Sequence, residues 1–298
     1  MTQDTSSELP QVAVATVVRD EAVMLPRWVA HYSAQLGGAD RLVVIDDNTA
    51  DGSTDGLPCT VIRMPPRPKG SFEPTRMGMI NGIAAGLLAA YDAVVFADAD
   101  EFLVADPAKY ADLRELIADR PGRDVIGATT LNVVHHLSEE PPLDPARPVL
   151  EQRHLAKFLP LMCKPAVKRI PAGWVAASHG IRAPFAVDPD LMMFHLKFAD
   201  RDHLAAAAAH RHRLVEDHGR PRNTSWSAGE DAMVALLERI NADLRPQKVK
   251  PFEIDAKRLA RVVEQRGEKV HRTTGAGQVQ AMERQPFVSV PERFRGTV

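Results

Sequence analysis

The sequence predicts an α/β fold with a mostly parallel central sheet, flanking helices and a second, smaller sheet. Three short apolar segments, residues 12–18, 41–47 and 93–103, have the β-branched composition of strands covered on both faces. Stretches with helical spacing of apolar residues separate them, which is the rhythm of β-α-β units. Acidic residues end the second segment and follow the apolar run of the third, at Asp98, Asp100 and Glu101. Ligands of open α/β sheets bind outside the carboxyl ends of the strands, so a functional site is expected at that edge.

The first hundred residues follow this rhythm in order. The predicted strands are residues 12–18, 41–47, 60–64 and the segment from 93 to Asp98, and the predicted helices are residues 21–36 and 75–90. The first helix carries apolar residues at helical spacing and is followed by two glycines, which are typical of a helix end. Residues 48–56 are dense in turn formers. This part of the chain is expected to form the parallel sheet.

The remainder of the chain shows a looser pattern of short elements. We predict a helix at 109–118, strands at 125–132, within 158–170 and 174–185, and at 191–197, and helices at 200–214 and 227–241. The predicted organisation is a disordered lead (1–11), one domain (12–245) divided into halves at 12–105 and 106–245, and a C-terminal helix and tail (246–298).

Composition excludes several classes of protein. With 37 basic and 39 acidic residues the net charge is -2, which argues against binding of nucleic acid or an anionic membrane by the whole surface. Cys59 and Cys163 lie in no paired spacing, so neither a disulfide framework nor a zinc site is expected. The start of the chain lacks signal-peptide features, and residues 78–97 are too polar to span a membrane. A cytoplasmic protein without a transmembrane segment is the expectation.

Asp98 and Asp100 are the residues around which the prediction of function is built. Side chains two apart on an extended segment share a side, so both carboxylates can reach one hard cation such as Mn²⁺ or Mg²⁺. Ala99 between them leaves room for a bulky ligand such as a diphosphate. The alternative is a solvated acidic turn after a strand. Lys69 and Arg76 are candidate phosphate partners, but exposed cations are typically solvated, and they are kept outside the predicted site.

Three motifs together resemble the nucleotide-sugar glycosyltransferases of family 2 and the related family 92, which have the GT-A fold. Residues 14–21 look like the first strand of the family followed by Asn-Glu, with Asp20 in place of the usual Asn. Residues 44–53 are similar to its Asp-Asn-x-Ser-x-Asp-Gly turn, and residues 98–102 to its Asp-x-Asp-Glu-Phe motif. The resemblance covers roughly the first hundred residues.

The resemblance implies a donor site and a metal site. The donor is expected to be a nucleoside-diphosphate sugar, with a UDP-sugar as the first choice, and the acceptor a saccharide or other hydroxyl compound. The residues implied for nucleotide binding are Val17, Glu21, Asp47, Asp98 and Ala99. The implied ligands of Mn²⁺ or Mg²⁺ are Asp98, Asp100 and His195, with His179 as the rival histidine and a core histidine as the alternative reading of His195.

The catalytic base is expected at Glu230 or Asp231. Family 2 enzymes that this sequence resembles invert the anomeric centre, which requires a carboxylate to take the proton of the acceptor hydroxyl. Ser227 and Glu230 have capping-box spacing, which gives Glu230 a structural role and leaves Asp231 as the preferred base. The alternative is that Asp231 only complements the helix dipole.

Three other functions compete with this prediction. A haloacid-dehalogenase-type phosphatase also places Asp-x-Asp after a strand, but here Glu101-Phe102 follow the motif and two β-α units precede it. A nucleotidyltransferase of similar fold is expected to have a glycine-rich basic loop after the first strand, where this chain has Arg19-Asp20-Glu21. A non-catalytic nucleotide-sugar-binding protein is the alternative from outside enzymology.

Overall fold

The computed structural model describes residues 9–65, 72–218, 228–273 and 280–298. Most of the predicted disordered lead, residues 1–8, lies outside this range, as do Lys69 and Ser227. The elements of the first half are β1 (Val12–Val18), α1 (Met24–Leu36), β2 (Leu42–Asp46), β3 (Thr60–Arg63), α2 (Phe72–Leu87), β4 (Ala93–Phe96), β5 (Glu101–Ala105) and α3 (Leu113–Ala118).

Within the described residues, the second half consists of ten further strands and five further α-helices. Up to residue 218 these are β6 (Val125–Val134), α4 (Val149–Gln152), β7 (Leu155–Phe158), β8 (Pro165–Lys168), β9 (Trp174–Val175), β10 (Gly180–Ile181), β11 (Ala186–Phe198) and α5 (Arg201–His218). They are followed by α6 (Glu230–Ala242), β12 (Lys250–Pro251), α7 (Ala256–Leu259), β13 (Val263–Arg266), β14 (Val270–Thr273), α8 (Gln280–Glu283) and β15 (Phe287–Ser289). Of these helices, α5 and α6 are the long ones.

The first four strands form the predicted parallel sheet, in the order β4-β1-β2-β3. Strand β1 is buried on both faces because helices cover both. Val12 and Val14 pack in the core that contains Trp28 of α1. Ala13 and Ala15, which point the other way, pack in the core that contains residues of α2. This double cover explains why these strands are apolar throughout rather than alternating.

Further strands extend this sheet beyond β4 and bring later parts of the chain next to the acidic motif, residues 98–101. Strand β8 pairs with β4, β6 pairs with β8, β11 runs parallel to β6, and β5 pairs with β11. Consecutive strands β4 and β5 are thus connected through three intervening strands. The turn between them, residues 97–100, therefore lies close to β11 and to the segment just before β8.

The predicted α/β class, with a mostly parallel central sheet, flanking helices and a smaller sheet, is confirmed. Counted over the described residues, the large sheet has 11 strands, and the smaller one has the order β13-β14-β10-β9. The prediction of only helix and tail for residues 246–298 is wrong, because β12 and β15 join the large sheet and β13 and β14 the small one. Strands of two to four residues are too short to show a readable alternation.

Lys168 on β8 is a buried cation, and it leads to a prediction about the pH dependence of stability. Its side chain is about 1% exposed, donates to the carbonyl oxygen of Ala172 at 2.9 Å, and lies 3.9 Å from the ring of Trp174. Burial lowers the pKa of the Lys168 ammonium to about 8. At pH values between this pKa and the ordinary lysine pKa of about 10.4, the unfolded chain binds more protons than the folded one.

We therefore expect the free energy of unfolding of the wild type, relative to Lys168→Met, to rise as the pH is raised from 7.5 to 10.5. The expected gain is up to about 3 kcal/mol, because the unfavourable buried charge present below the folded pKa disappears on deprotonation. Urea unfolding of both proteins at a series of pH values measures it. A difference between the two proteins that is independent of pH would contradict the prediction.

Candidate active site

The acidic motif forms a closed turn at the carboxyl end of β4. The backbone N–H of Glu101 donates to the carbonyl oxygen of Asp98 at 2.9 Å, and the Glu101 carboxylate accepts from the N–H of Asp98 at 3.1 Å. The N–H of Leu196 on β11 donates to the carbonyl oxygen of Asp100 at 2.8 Å. The position of Asp98 at the carboxyl edge of the parallel strands is the one predicted, and the two aspartates are held there by backbone contacts.

Two buried cations bind the carboxylate of Asp98. Arg76 of α2 forms a short hydrogen bond with one oxygen, and Lys164, just before β8, lies 3.3 Å from the other. Lys164 also lies 2.5 Å from Glu101. Burial raises the pKa of the Asp98 carboxyl, but the charges of Arg76 and Lys164 outweigh this effect and hold that pKa below its ordinary value. Asp98 is therefore an anion neutralised by the protein itself.

Asp100 faces His195 instead. The His195 Nε2 atom lies 3.5 Å from the Asp100 carboxylate, and its Nδ1 atom lies 2.8 Å from the side-chain oxygen of Asn132. The amide nitrogen of Asn132 donates to the carbonyl oxygen of Lys157 at 3.3 Å. Because the Asn132 oxygen accepts, Nδ1 carries a proton, and Nε2 is the ring atom that faces Asp100 and would coordinate a metal ion once deprotonated. Burial raises the pKa of Asp100, but His195 and then Arg211 lower it well below its usual range.

Asp100 and His195 are suitably placed to act as two ligands of a divalent cation. Oxygen and imidazole nitrogen are suitable donors, and neighbouring ligands of an octahedral ion with bonds of about 2.1 Å lie about 3 Å apart. Asn132 supplies the supporting hydrogen bond that metal-bound histidines typically have. No three His, Cys, Asp or Glu side chains in residues 9–65, 72–218, 228–273 and 280–298 form a complete metal site. The pair would therefore leave the remaining positions to substrate or water.

His179, the rival histidine, has a different environment. Its Nδ1 atom lies 2.9 Å from the carbonyl oxygen of Leu161, and burial, followed by the charge of Lys164, lowers its pKa to about 3. The adjacent Ala177 and Ser178 have φ values of 56° and 54°. The N–H of Ala177 donates to Glu73 of α2 at 2.8 Å. His179 is thus a neutral imidazole close to Lys164, on a loop fastened to the helix that carries Arg76.

The ends of β1 and β2 bring the predicted nucleotide residues to the same edge. Val17 is half-buried near the end of β1, and Asp47 is about 2% exposed directly after β2. Glu21 accepts from the N–H of Met24, the first residue of α1, at 3.1 Å. Burial raises the pKa of Glu21, and the nearby charges of His203 and Asp100 also act on it. Ala99 is buried between the two aspartates.

Asp20 lies just after β1, at the position where the resembled motif has Asn. Its φ is 52°, in the left-handed region that Asn and Asp adopt more readily than other side chains. Its carboxylate accepts from the N–H of Ala50 at 2.6 Å and of Asp51 at 3.2 Å. An amide oxygen can make the same bonds. Asp20 therefore holds the loop after β2.

Glu230 and Asp231 are the first two residues of α6, and both are exposed. Gly229 is the N-cap residue, so Glu230 stands at the first helical position and the predicted helix start at 227 is wrong. Glycine at the N-cap leaves Glu230 outside capping-box geometry. Among the described residues, no hydrogen bond or ion pair connects either acid to Asp98 or Asp100. Their catalytic role stays a prediction.

Several residues of the site were not predicted, because they come from distant parts of the chain. Arg76 was kept outside the predicted site, yet its side chain is only 7% exposed and binds Asp98. Lys164 and Asn132 carry no local sequence signal, since only the pairing of β8 and β11 brings them near the motif. Arg211 of α5 lies 4.0 Å from Asp100. Burial, followed by the charge of Arg211, lowers the pKa of Lys197 to about 7.

Solved structures with partial similarity include a mannosyltransferase and S. aureus TarS. The mannosyltransferase PcManGT from Pyrobaculum calidifontis, in complex with GDP-Man and Mn²⁺, is 19% identical with a TM-score of 0.30, over 44% of this chain and 38% of that one. S. aureus TarS in complex with UDP is 14% identical with a TM-score of 0.32, over 53% and 46%. The chain thus spans less than half the length of either.

Other comparisons are negative. No protein-family model matches the chain, and no curated protein matches it in sequence. Among the described residues, no helix combines the length and the apolar character that crossing a membrane requires.

Proposed function

We propose that the chain is a metal-dependent, inverting glycosyltransferase that moves a sugar from a nucleoside-diphosphate sugar to an acceptor hydroxyl. The observation that carries the proposal is the pair Asp100 and His195 at the carboxyl edge of the sheet, with Asn132 orienting the imidazole ring so that its Nε2 atom faces the carboxylate. The motif resemblance in the first hundred residues supports the same conclusion. A UDP-sugar is the proposed donor.

Each residue of the site has a proposed role. Asp100 and His195 hold Mn²⁺ or Mg²⁺, which when bound neutralises the negative charge of the leaving diphosphate as a Lewis acid. Asp98 forms ion pairs with Arg76 and Lys164. In this proposal it keeps both partners when the donor binds, and it contacts the donor sugar directly or through water. The nucleotide is bound at the ends of β1 and β2, by Val17, Glu21 and Asp47.

The acceptor half supplies the base. Asp231 takes the proton of the acceptor hydroxyl as that oxygen attacks opposite the diphosphate, with Glu230 beside it as the rival. Residues 12–105 form the nucleotide half and residues 106–245 the acceptor half in this proposal.

Release of nucleoside diphosphate from a panel of nucleotide sugars tests the proposal. We expect the purified protein to hydrolyse one donor slowly in the presence of Mn²⁺, because water can replace the acceptor, and to stop when the metal is chelated. Thermal shift on the same panel reports binding, since a ligand at 100 times its Kd stabilises the folded state by about 2.7 kcal/mol. Binding without release would support the non-catalytic alternative, and neither effect with any donor would end the proposal.

The two histidines are distinguished by single substitutions. We expect Asn132→Ala, which removes the residue that supports the histidine, to weaken Mn²⁺-dependent donor binding by about 10-fold to 100-fold. We expect His195→Ala to weaken it by more than this. His179→Ala should leave the metal dependence unchanged, because its ring is directed at Leu161. Calorimetric titration with and without Mn²⁺ measures both. The reverse pattern would transfer the role to His179.

A further inference from the structure

Arg272 on β14 is a half-buried cation without an anionic partner in the protein. Its Nε atom is buried and makes no hydrogen bond, and none of the ion pairs formed by the described residues includes it. Glu264, which is opposite Arg272 on β13, forms its ion pair with Arg266 instead. The nearby cations Arg76 and Lys164 each bind a carboxylate of the acidic motif. Arg272 thus differs from them in having its charge still available.

A close contact between two strands fixes the position of Arg272. In the pairing of β10 with β14, Gly180 is opposite Arg272. A Cβ atom at residue 180 would overlap the aliphatic part of the Arg272 side chain and would lie 2.8 Å from the carbonyl oxygen of His271. Glycine is therefore required here by the close approach of the neighbouring strand. As a result, the Arg272 side chain lies against the backbone directly after His179.

This contact places Arg272 on the Lys164 side of the candidate active site. The carbonyl oxygen of Leu161 lies 2.9 Å from His179 Nδ1 and accepts from the Thr273 hydroxyl at 2.8 Å, which connects β14 to the loop of His179. Burial, followed by the charge of Lys164, lowers the pKa of His179, and the charge of Arg272 acts in the same direction. His179 is therefore neutral, and Arg272 carries the unpaired charge at this place.

The arrangement separates Arg272 from the diphosphate of the donor. In the proposed function the diphosphate is bound at the metal pair, Asp100 and His195, and the donor sugar is contacted by Asp98. Lys164 forms its ion pairs with Asp98 and Glu101, on the side of the motif away from the metal pair. A cation beyond Lys164 is therefore placed toward the sugar and toward the acceptor that attacks it.

We infer that Arg272 binds a carboxylate or phosphate group of the acceptor, an inference that rests on the proposed function. The planar guanidinium presents parallel N–H donors, which match both groups. An acidic sugar or a sugar phosphate is thus the class of acceptor that this side chain selects. A neutral saccharide would leave the half-buried guanidinium without an ionic partner.

Calorimetric titration of sugars into the full chain, saturated with UDP or GDP and with Mn²⁺, tests this inference. The nucleotide occupies the donor position, so an anion that merely replaces the diphosphate does not contribute. The probes are glucuronate, glucose 6-phosphate and neutral glucose. We expect the wild type to bind both acidic sugars about 10-fold to 100-fold more tightly than glucose, through charge-assisted hydrogen bonds. Equal binding of the three sugars, or binding of none, would overturn the inference.

Substitutions of Arg272 connect this preference to the side chain. Arg272→Met should remove the preference for acidic sugars, and Arg272→Lys should keep part of it, because the charge remains. The control is Arg284→Met, which replaces an exposed arginine between α8 and β15 and should behave as the wild type. An unchanged preference in Arg272→Met would contradict the inference. So would an equal loss of nucleotide binding and acidic-sugar binding with a lowered melting temperature, since that pattern shows a structural role.

Two donors decide whether the anion belongs to the acceptor or to the donor sugar. UDP-glucuronate carries a carboxylate where UDP-glucose has a hydroxymethyl group. We expect Arg272→Met to bind both as the wild type does, because the acceptor provides the anion. Selective loss of UDP-glucuronate binding, with unchanged binding of the free acidic sugars, would assign Arg272 to the donor sugar and overturn its assignment to the acceptor.

Nucleotide binding by the wild type keeps this inference distinguishable from the proposed function. If the wild type binds UDP or GDP with Mn²⁺ but shows no preference for acidic sugars, only the role of Arg272 fails. If the wild type binds neither nucleotide, the proposed function fails and the acceptor site fails with it.

Discussion

Replacing Asp100 with Asn is expected to abolish the manganese-dependent part of donor binding. The substitution keeps the shape of the side chain but removes the charge that, together with His195, would hold the cation. An amide is a much weaker ligand than a carboxylate for a hard divalent ion. Calorimetric titration of UDP or GDP with Mn²⁺ and with chelator should show two similar weak affinities for Asp100→Asn and two different affinities for the wild type.

Asp40→Asn is the matched control for this substitution. Asp40 precedes β2 at the opposite edge of the sheet, and its side chain is 76% exposed. It should bind donor and metal as the wild type does. Retention of full manganese dependence by Asp100→Asn would remove the metal site from the proposal. Asp98→Asn would be less decisive, because it leaves the buried Arg76 and Lys164 undercompensated and changes stability together with binding.

Replacing Asp231 with Asn is expected to lower turnover by a factor on the order of 10² or more while donor binding stays intact. The amide preserves the shape but cannot accept the proton of the acceptor hydroxyl. As a first-turn acid Asp231 also complements the dipole of α6, and losing this interaction costs less than about 1 kcal/mol, so the variant should fold. Steady-state rates and donor affinity, measured on the same preparation, separate the two effects.

Glu230→Gln tests the rival candidate for the base. It lies at the adjacent position of the same exposed helix start. Normal turnover in Asp231→Asn with a dead but folded Glu230→Gln would exchange the two roles. Activity in both variants would place the base elsewhere in the chain.

The motifs at the ends of β1, β2 and β4 could be predicted because their signals are local. Runs of β-branched residues indicate buried strands, and the residues directly after a parallel strand lie at its carboxyl edge. The sequence thus correctly predicted where Asp47, Asp98 and Asp100 lie. The predicted start of α6 was wrong, since a helix boundary depends on caps whose geometry a sequence shows only weakly.

By itself the sequence determined the α/β class, the parallel arrangement of the early strands and the carboxylates at their ends, because hydrophobic periodicity and turn chemistry act over a few residues. Only the tertiary structure decided which side chains meet those carboxylates. Lys164 reaches Asp98 because β8 runs antiparallel to β4, and His195 reaches Asp100 because β11 lies opposite β5. These pairings join positions that are 66 and 95 residues apart, and no local pattern encodes their register.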